Sequence, residues 1–207
     1  MNPMSAFRRF AAIFAGIFLI VSCGGTIDAR VDCDDKTLVI LPCAVEAEGQ
    51  SMNHFNSKIG DRIATLASGM VSSHEEDAKV LEPQAFKKAF KSGVPTPSKI
   101  EKICGEQGVD LVVISTLTQW RLRDPRNPGL NQGEAGLNVS VVDSKGQNVY
   151  KGQLMGIQFP LGLSEDPNFA VPGQSSLTLT EEQVRKGLEQ SVARALAELF
   201  YDHEAPK

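Results

Sequence analysis

The chain has 207 residues, 42% hydrophobic and 22% charged, with a formal net charge of −4 at pH 7. That make-up fits a soluble globular chain of one ordinary domain plus a linker. There is no basic excess to neutralise phosphates, so nucleic acid is not an expected partner.

Residues 1–25 open with a basic pair, Arg8 and Arg9, and continue into a short apolar stretch over residues 10–21. The stretch is shorter than the roughly 20 apolar residues that a membrane span needs. It closes on Ile20-Val21-Ser22-Cys23. This arrangement resembles a bacterial lipoprotein signal ending in a lipobox. The resemblance implies cleavage before Cys23, lipid on that cysteine, and a membrane anchor outside the cytoplasm. Gly24 stands where the inner-membrane lipoproteins of diderm enterobacteria are associated with aspartate. An outer-membrane anchor facing the periplasm is therefore expected. The expected organisation is a signal over 1–22, a lipidated tether over 23–36, an αβ domain over 37–201 and a tail over 202–207.

With Cys23 acylated, Cys33, Cys43 and Cys104 remain, so at most one intramolecular disulfide can form. Cys33–Cys43 is the nearest pair and Cys43–Cys104 is the alternative; spacing does not choose between them. The cysteines contain no CxxC pair, so the sequence gives no support for a zinc or thioredoxin-like reading.

Residues 37–45 (TLVILPCAV) read as a buried strand, with Pro42 marking a bulge or an edge. In residues 55–70, Phe55, Ile59, Ile63, Leu66 and Met70 fall on one helix face. Residues 72–77 read as a polar loop and 79–81 as a short strand. Residues 83–90 read as a short helix with Phe86 and Phe90 on one face. Residues 98–106 read as a helix, with a capping box from Ser98 to Glu101 and an end set by Gly105 and Gly108.

Residues 109–122 form the longest strand candidate. Leu111 to Ile114 is apolar throughout, as in a strand covered on both faces. Beyond it, Thr116, Thr118 and Trp120 are expected on one side and Leu117, Gln119 and Arg121 on the other. Residues 123–133 are a turn region rich in Pro, Gly and Asn. Residues 135–142 and 148–157 are strands joined by a turn at residues 143–146. Residues 159–179 carry three prolines and no period, so they read as a long loop. Thr180 and Gln183 announce a last helix over residues 181–201. Its stripe is Val184, Leu188, Val192, Leu196 and Leu199. At 1.5 Å per residue it spans about 30 Å, enough to cross a sheet.

The order is β-α-β-α-α-β-β-β-α. Strands separated by helices should run parallel, and strands joined by tight turns antiparallel. The expected fold is α/β in the α+β sense: a mixed sheet with helices packed on it, in a single domain.

Several segments resemble the αβ family that includes the TolB amino-terminal domain, CsgG, PelC and LpoB. They are Leu38-Val39-Ile40-Leu41-Pro42, Phe55-Asn56-Ser57-Lys58-Ile59-Gly60-Asp61, Gly108-Val109-Asp110-Leu111-Val112-Val113, and Leu137-Asn138-Val139-Ser140-Val141-Val142-Asp143 with Gly146. These stand where that family has its first strand, first helix start, helix-to-strand step and strand with turn. Cys43 departs from the family's usual aromatic, and residues 159–179 align to no member. The resemblance implies a fold and a mode of work through protein contacts, in some members as rings. Its motifs are structural, so they specify a fold better than an activity.

No phosphate loop, nucleophile elbow or HExxH motif is present. His74-Glu75-Glu76-Asp77 offers metal-ligand types, but consecutive residues do not converge easily on one ion, which favours a solvated loop. The three histidines are scattered and form no catalytic set. No enzyme, cofactor or metal is expected.

Two candidate interaction regions remain. Trp120, Arg121, Arg123 and Arg126 place the only tryptophan beside three arginines, a set suited to an acidic glycan or an acidic protein patch. The favoured reading there is the plainer one, a core tryptophan with solvated arginines, some paired with Asp124, because strand-end aromatics are commonly core. Phe159, Leu161, Leu163 and Phe169 put apolar groups in the long loop, for a partner contact or for folding over the sheet edge.

The functional expectation is a membrane-anchored, non-catalytic scaffold in an export or wall-building assembly, with envelope proteins as partners. A ring-forming subunit of a secretion apparatus, hence a homo-oligomer, is the alternative, and an envelope hydrolase a weaker one.

Overall fold

Leu38 and Ile40 enter one core cluster, while Val39 and Leu41 enter another; all four are fully buried. The strand that carries them is therefore covered on both faces, which sets the layering of the domain. The computed structural model describes residues 26–27, 29–47, 49–88, 96–123, 131–160 and 179–204. Cys23, Arg126, Leu161, Leu163 and Phe169 lie outside these residues, as does Phe90.

The elements, in order, are β1 (Thr26–Ile27), β2 (Thr37–Ile40), β3 (Ala44–Ala47), β4 (Gln50–Met52), α1 (Lys58–His74), β5 (Lys79–Leu81) and a 3-10 turn (Pro83–Phe86). They continue with α2 (Pro97–Gln107), β6 (Leu111–Arg121), β7 (Gly133–Asp143), β8 (Asn148–Phe159), α3 (Glu181–Ala197) and β9 (His203–Glu204). β6 is the spine of a seven-stranded mixed sheet. β2 runs parallel to both β5 and β6, and β3 runs parallel to β6. β4 is antiparallel to β3, and β6, β7 and β8 form an antiparallel meander. This is the expected α+β mixed sheet in one domain.

α1 and α3 contribute Ile63, Ala67, Leu188 and Leu196 to the larger cluster on one face. α2 and the 3-10 turn contribute Ile100, Cys104 and Phe86 to the cluster on the other.

Several local features differ from the sequence expectation for identifiable reasons. The strand expected over residues 37–45 is two strands, broken at residues 41–43. The freed backbone groups there find other partners. Leu41 N–H donates to the Val113 carbonyl at 3.0 Å, Cys43 N–H to the Gly60 carbonyl at 3.3 Å, and the Pro42 carbonyl accepts from His54 Nδ1 at 2.7 Å. α1 starts at Lys58 because the Ser57 hydroxyl accepts from Gly60 N–H at 3.0 Å. Phe55 therefore lies before the helix and packs against the opposite cluster. The buried face of α1 is Gly60, Ile63, Ala64, Ala67 and Val71, with Ile59, Leu66 and Met70 flanking it. Small residues occupy the line of closest approach. The helix also continues to His74, shortening the expected loop.

In α2, Pro97 sets the first turn and Thr96 is the N-cap, so Ser98 lies inside the helix and its expected capping box does not form. Gly105 is helical, and Gly108 alone ends the helix, at φ 64°. The hairpin turn is as expected: Asp143 Oδ1 accepts from the N–H groups of Lys145 and Gln147, and Gly146 adopts φ 76°. At α3 the Thr180–Gln183 capping box is formed in full. Its stripe from Val184 to Leu199 is buried, although the helix ends at Ala197.

The stretch expected as a tether is partly built into the fold. Val31 and Cys33 are buried, Arg30 and Val31 N–H groups donate to the Leu199 carbonyl, and β1 pairs with β9. Among the described residues, no helix is long and apolar enough to cross a membrane.

Cys33, Cys43 and Cys104 are free and buried, so none of the disulfides weighed from the sequence is formed. Cys33 Sγ donates to the Phe200 carbonyl at 3.6 Å and Cys43 Sγ accepts from the Ser115 hydroxyl at 2.9 Å. Cys104 lies in the other cluster. Burial pushes each thiol up from its ordinary value of 9.0 to about 11. In a Cys23→Ser chain, a thiol reagent at pH 8 should label nothing in the native state and all three cysteines after denaturation. Because the thiolate is favoured only in the unfolded chain, the same shift makes stability fall as pH rises from 9.0 toward 11. Rapid native labelling would contradict the buried placement.

Candidate interaction surface

A register shift in β6 between Leu117 and Gln119 reverses the alternation that the sequence suggests. Trp120 consequently faces the same cluster as Leu117 rather than the opposite side, and it is 8% exposed. Its ring is thus packed in the core. The two described arginines of the expected set each face a carboxylate. Arg121, opposite Glu134 in the register, lies 3.9 Å from its carboxylate, and Arg123 meets Glu181 at 3.0 Å. An acidic ligand at Arg121 and Arg123 would compete with Glu134 and Glu181, and the buried Trp120 ring is closed to a stacking sugar.

Phe159 is the described member of the expected loop cluster. It is half-buried at the end of β8 and packs against the core. Gly187 of α3 makes the room, since a Cβ there would sit 2.2 Å from the Phe159 ring. Phe159 is therefore a packing residue rather than part of an exposed anchor.

Beside Trp120 the structure forms a groove of about 520 Å³, bounded by β3, β4, the start of α1 and the end of β6. Its wall is mainly apolar, from residues such as Val45, Met52, Ile59 and Leu117, with Gln50, Asn56 and Ser57 as polar members and Lys58 and Arg185 as its charged ones. Met52 is exposed and lies on β4, an edge strand. The other exposed large apolar side chains among the described residues, Val149 and Met155, lie on the opposite edge strand, β8.

Arg185 is held by a network that the sequence reading did not single out. Buried Glu189 accepts from Arg62 Nε at 2.9 Å and Nη2 at 2.6 Å, and from Arg185 Nη1 at 3.0 Å. Arg185 also donates from Nε to Glu182 at 3.0 Å. This fork lowers the Glu182 pKa and raises that of Arg185, in each case chiefly through their mutual hydrogen bond. The 182–185–189 spacing on one helix was readable in the sequence. The tie to Arg62, 127 residues away, was not. Because it joins α1 to α3, Glu189→Ala should cost about 1–3 kcal/mol, moderated by the partial exposure of both arginines. Thermal denaturation checks this, and an unchanged midpoint would mean that the network does not hold the helices.

His54, between β4 and α1, is buried, with Nδ1 on the Pro42 carbonyl. Desolvation lowers its pKa below 6.5, against raising effects from that carbonyl and from Glu46. His74 stacks on Tyr201 at 4.1 Å and 7°, at the far end of α1. Neither arrangement brings histidine and carboxylates into a catalytic set.

Solved structures of PelC and LpoB are among those similar to this chain. The PelC dodecamer from Paraburkholderia phytofirmans shows 14% identity and a TM-score of 0.46, over 86% of this chain and 96% of that one. A lipoprotein from Neisseria meningitidis shows 15% identity and a TM-score of 0.44, over 59% and 82%. The LpoB C-terminal domain from Salmonella enterica shows 14% identity and a TM-score of 0.41, over 61% and 85%. No protein-family model matches the chain, and no curated protein does.

Proposed function

We propose that this chain is a lipid-anchored module of the cell envelope, working by protein contact rather than catalysis within an export or wall-building assembly. The observation that carries the reading is the run from Arg8 and Arg9 through the apolar residues 10–21 to Ile20-Val21-Ser22-Cys23, followed at once by a folded domain. Two acyl chains on Cys23 would give stable anchoring where one is marginal. Gly24 supports an outer-membrane destination facing the periplasm. Contact work is supported by the chemistry of the groove, which offers apolar wall and edge backbone, while Arg121 and Arg123 each face a surface carboxylate.

The test is fractionation of the wild type and Cys23→Ser, followed by crosslinked pull-down from envelope membranes. Cys23→Ser should leave the membrane fraction or accumulate as the unprocessed precursor, and should lose the envelope partner held by the wild type. Unchanged membrane association with unchanged precursor size would overturn the anchored reading.

A further inference from the structure

We infer that the domain stands on the membrane by the pole that carries β1 and β9 and presents the groove at its opposite end, away from the lipid. The inference rests on anchorage at Cys23 as proposed above.

Three observations fix the geometry. β1 begins at Thr26, so the chain from Cys23 to the first paired residue spans at most about 10 Å even fully extended. β1 is not free to swing, since it pairs with β9 through Thr26↔Glu204 and Ile27↔His203. Just beyond it, Ala29 N–H donates to Asp202 at 2.7 Å and Arg30 N–H to the Leu199 carbonyl at 3.0 Å. The anchored start of the chain is thereby clamped to its end.

The strand register then says which pole this is. The clamp joins the segment that leads into Thr37, and there β2, β5 and β6 start and β7 ends: Thr37 pairs with Lys79, Leu38 with Leu111, and Leu111 with Asp143. The groove lies at the other end of β6, around Leu117, Trp120 and Leu122. β6 has 11 residues, which at a strand's rise is about 35 Å. Leu117 and Trp120 lie six and nine residues along β6 from Leu111, so the groove stands about 20–30 Å up the sheet from the anchored pole.

Charge acts in the same direction. The anchored pole exposes Asp34, Asp35, Glu76, Asp77 and Asp202, which outnumber its exposed Arg30, Lys79 and Lys145, while Lys36 is engaged with Asp32 at 2.6 Å. An acidic pole gains nothing from anionic headgroups, so the hold on the bilayer comes from the acyl chains. At a separation of about one Debye length, repulsion keeps the pole from sinking into the headgroups. A short clamped tether and an acidic foot together make an upright stance, with β4 and the groove directed away from the bilayer.

The experiment places a fluorescent amino acid at residue 77, on the anchored pole, or at residue 50, at the groove, in separate chains. Each lipidated protein is reconstituted into phosphatidylethanolamine–phosphatidylglycerol vesicles carrying a small fraction of headgroup-nitroxide lipid. Quenching should be several-fold stronger at residue 77 than at residue 50. Inserting about 20 Gly and Ser residues after Gly25, which span about 25 Å, should reduce that ratio toward one. Equal quenching at both positions in the native tether, or stronger quenching at residue 50, would overturn the inference. A second arm couples the mature chain through the Cys23 thiol to maleimide-headgroup lipid in the same vesicles. If the native chain carries no lipid, the anchored reading fails on its own. The coupled chain still decides whether this fold stands with the groove distal.

Discussion

Gly60→Ala is expected to destabilise the domain by at least about 3 kcal/mol, at the upper end of what overpacking costs. A Cβ at residue 60 would lie 2.1 Å from the Cys43 carbonyl oxygen and 2.9 Å from both the carbonyl carbon and the nitrogen of Cys43. All three are backbone atoms, so no side chain can swing aside. The contact is close because the first turn of α1 docks directly on the break between β2 and β3. There the Cys43 N–H donates to the Gly60 carbonyl and Ser57 caps the Gly60 N–H. Moving the helix outward would lengthen those bonds and open the packing of Ile63 and Ala67 behind them. Gly69 is the internal control. It sits in the same helix with nothing within 4 Å of an added Cβ, so Gly69→Ala should stabilise by about 0.5–1 kcal/mol through helix propensity. Urea denaturation of both variants gives the comparison. A Gly60→Ala midpoint equal to the wild type would mean that α1 does not approach the strand break as described.

The contrast between those two glycines shows where the sequence is legible. Position 60 looks like any helical glycine until the strand break at Cys43 is placed against it. The same limit governs Pro42, whose disruption of the strand was readable while its carbonyl's partner, His54, was not. Local signals carried through well. Thr180 with Gln183 caps α3, Gly108 ends α2, and Asp143 to Gly146 turns the hairpin, because each is decided by atoms within a few residues. Trp120 is the core residue that its strand-end position favoured, but its face differs for a specific reason: a single bulge before Gln119 moves it from one face of β6 to the other, and the residues of the strand do not announce the bulge. The candidate surface suffered most from this. Its arginines were visible, but Glu134 and Glu181, which face Arg121 and Arg123, come from β7 and α3. The groove itself draws on β3, β4, α1 and β6, and no window of sequence holds them together.

α3 is where local and long-range signals coincide, and it carries the second large effect. Leu188→Ala and Leu196→Ala should each cost about 2–5 kcal/mol, the range for removing a fully buried leucine and leaving a cavity. Both side chains are 0% exposed in the cluster that α3 builds with α1 and the sheet. Leu188 is the more constrained, since a Cβ on Gly133 of β7 would already lie 2.9 Å from its Cδ2. Backbone pressed that closely cannot collapse into the vacated space easily, so Leu188→Ala belongs toward the upper part of the range. Lys186→Ala, on an exposed position whose carboxylate neighbour Glu182 is 3.6 Å away, should change stability by no more than about 0.5 kcal/mol. Chemical denaturation of the three variants, with circular dichroism to confirm the folded baseline, separates the cases. Equal small effects at all three positions would mean that α3 is not docked on the sheet. A large effect at Lys186 together with small ones at the leucines would mean that the helix is docked by its other face.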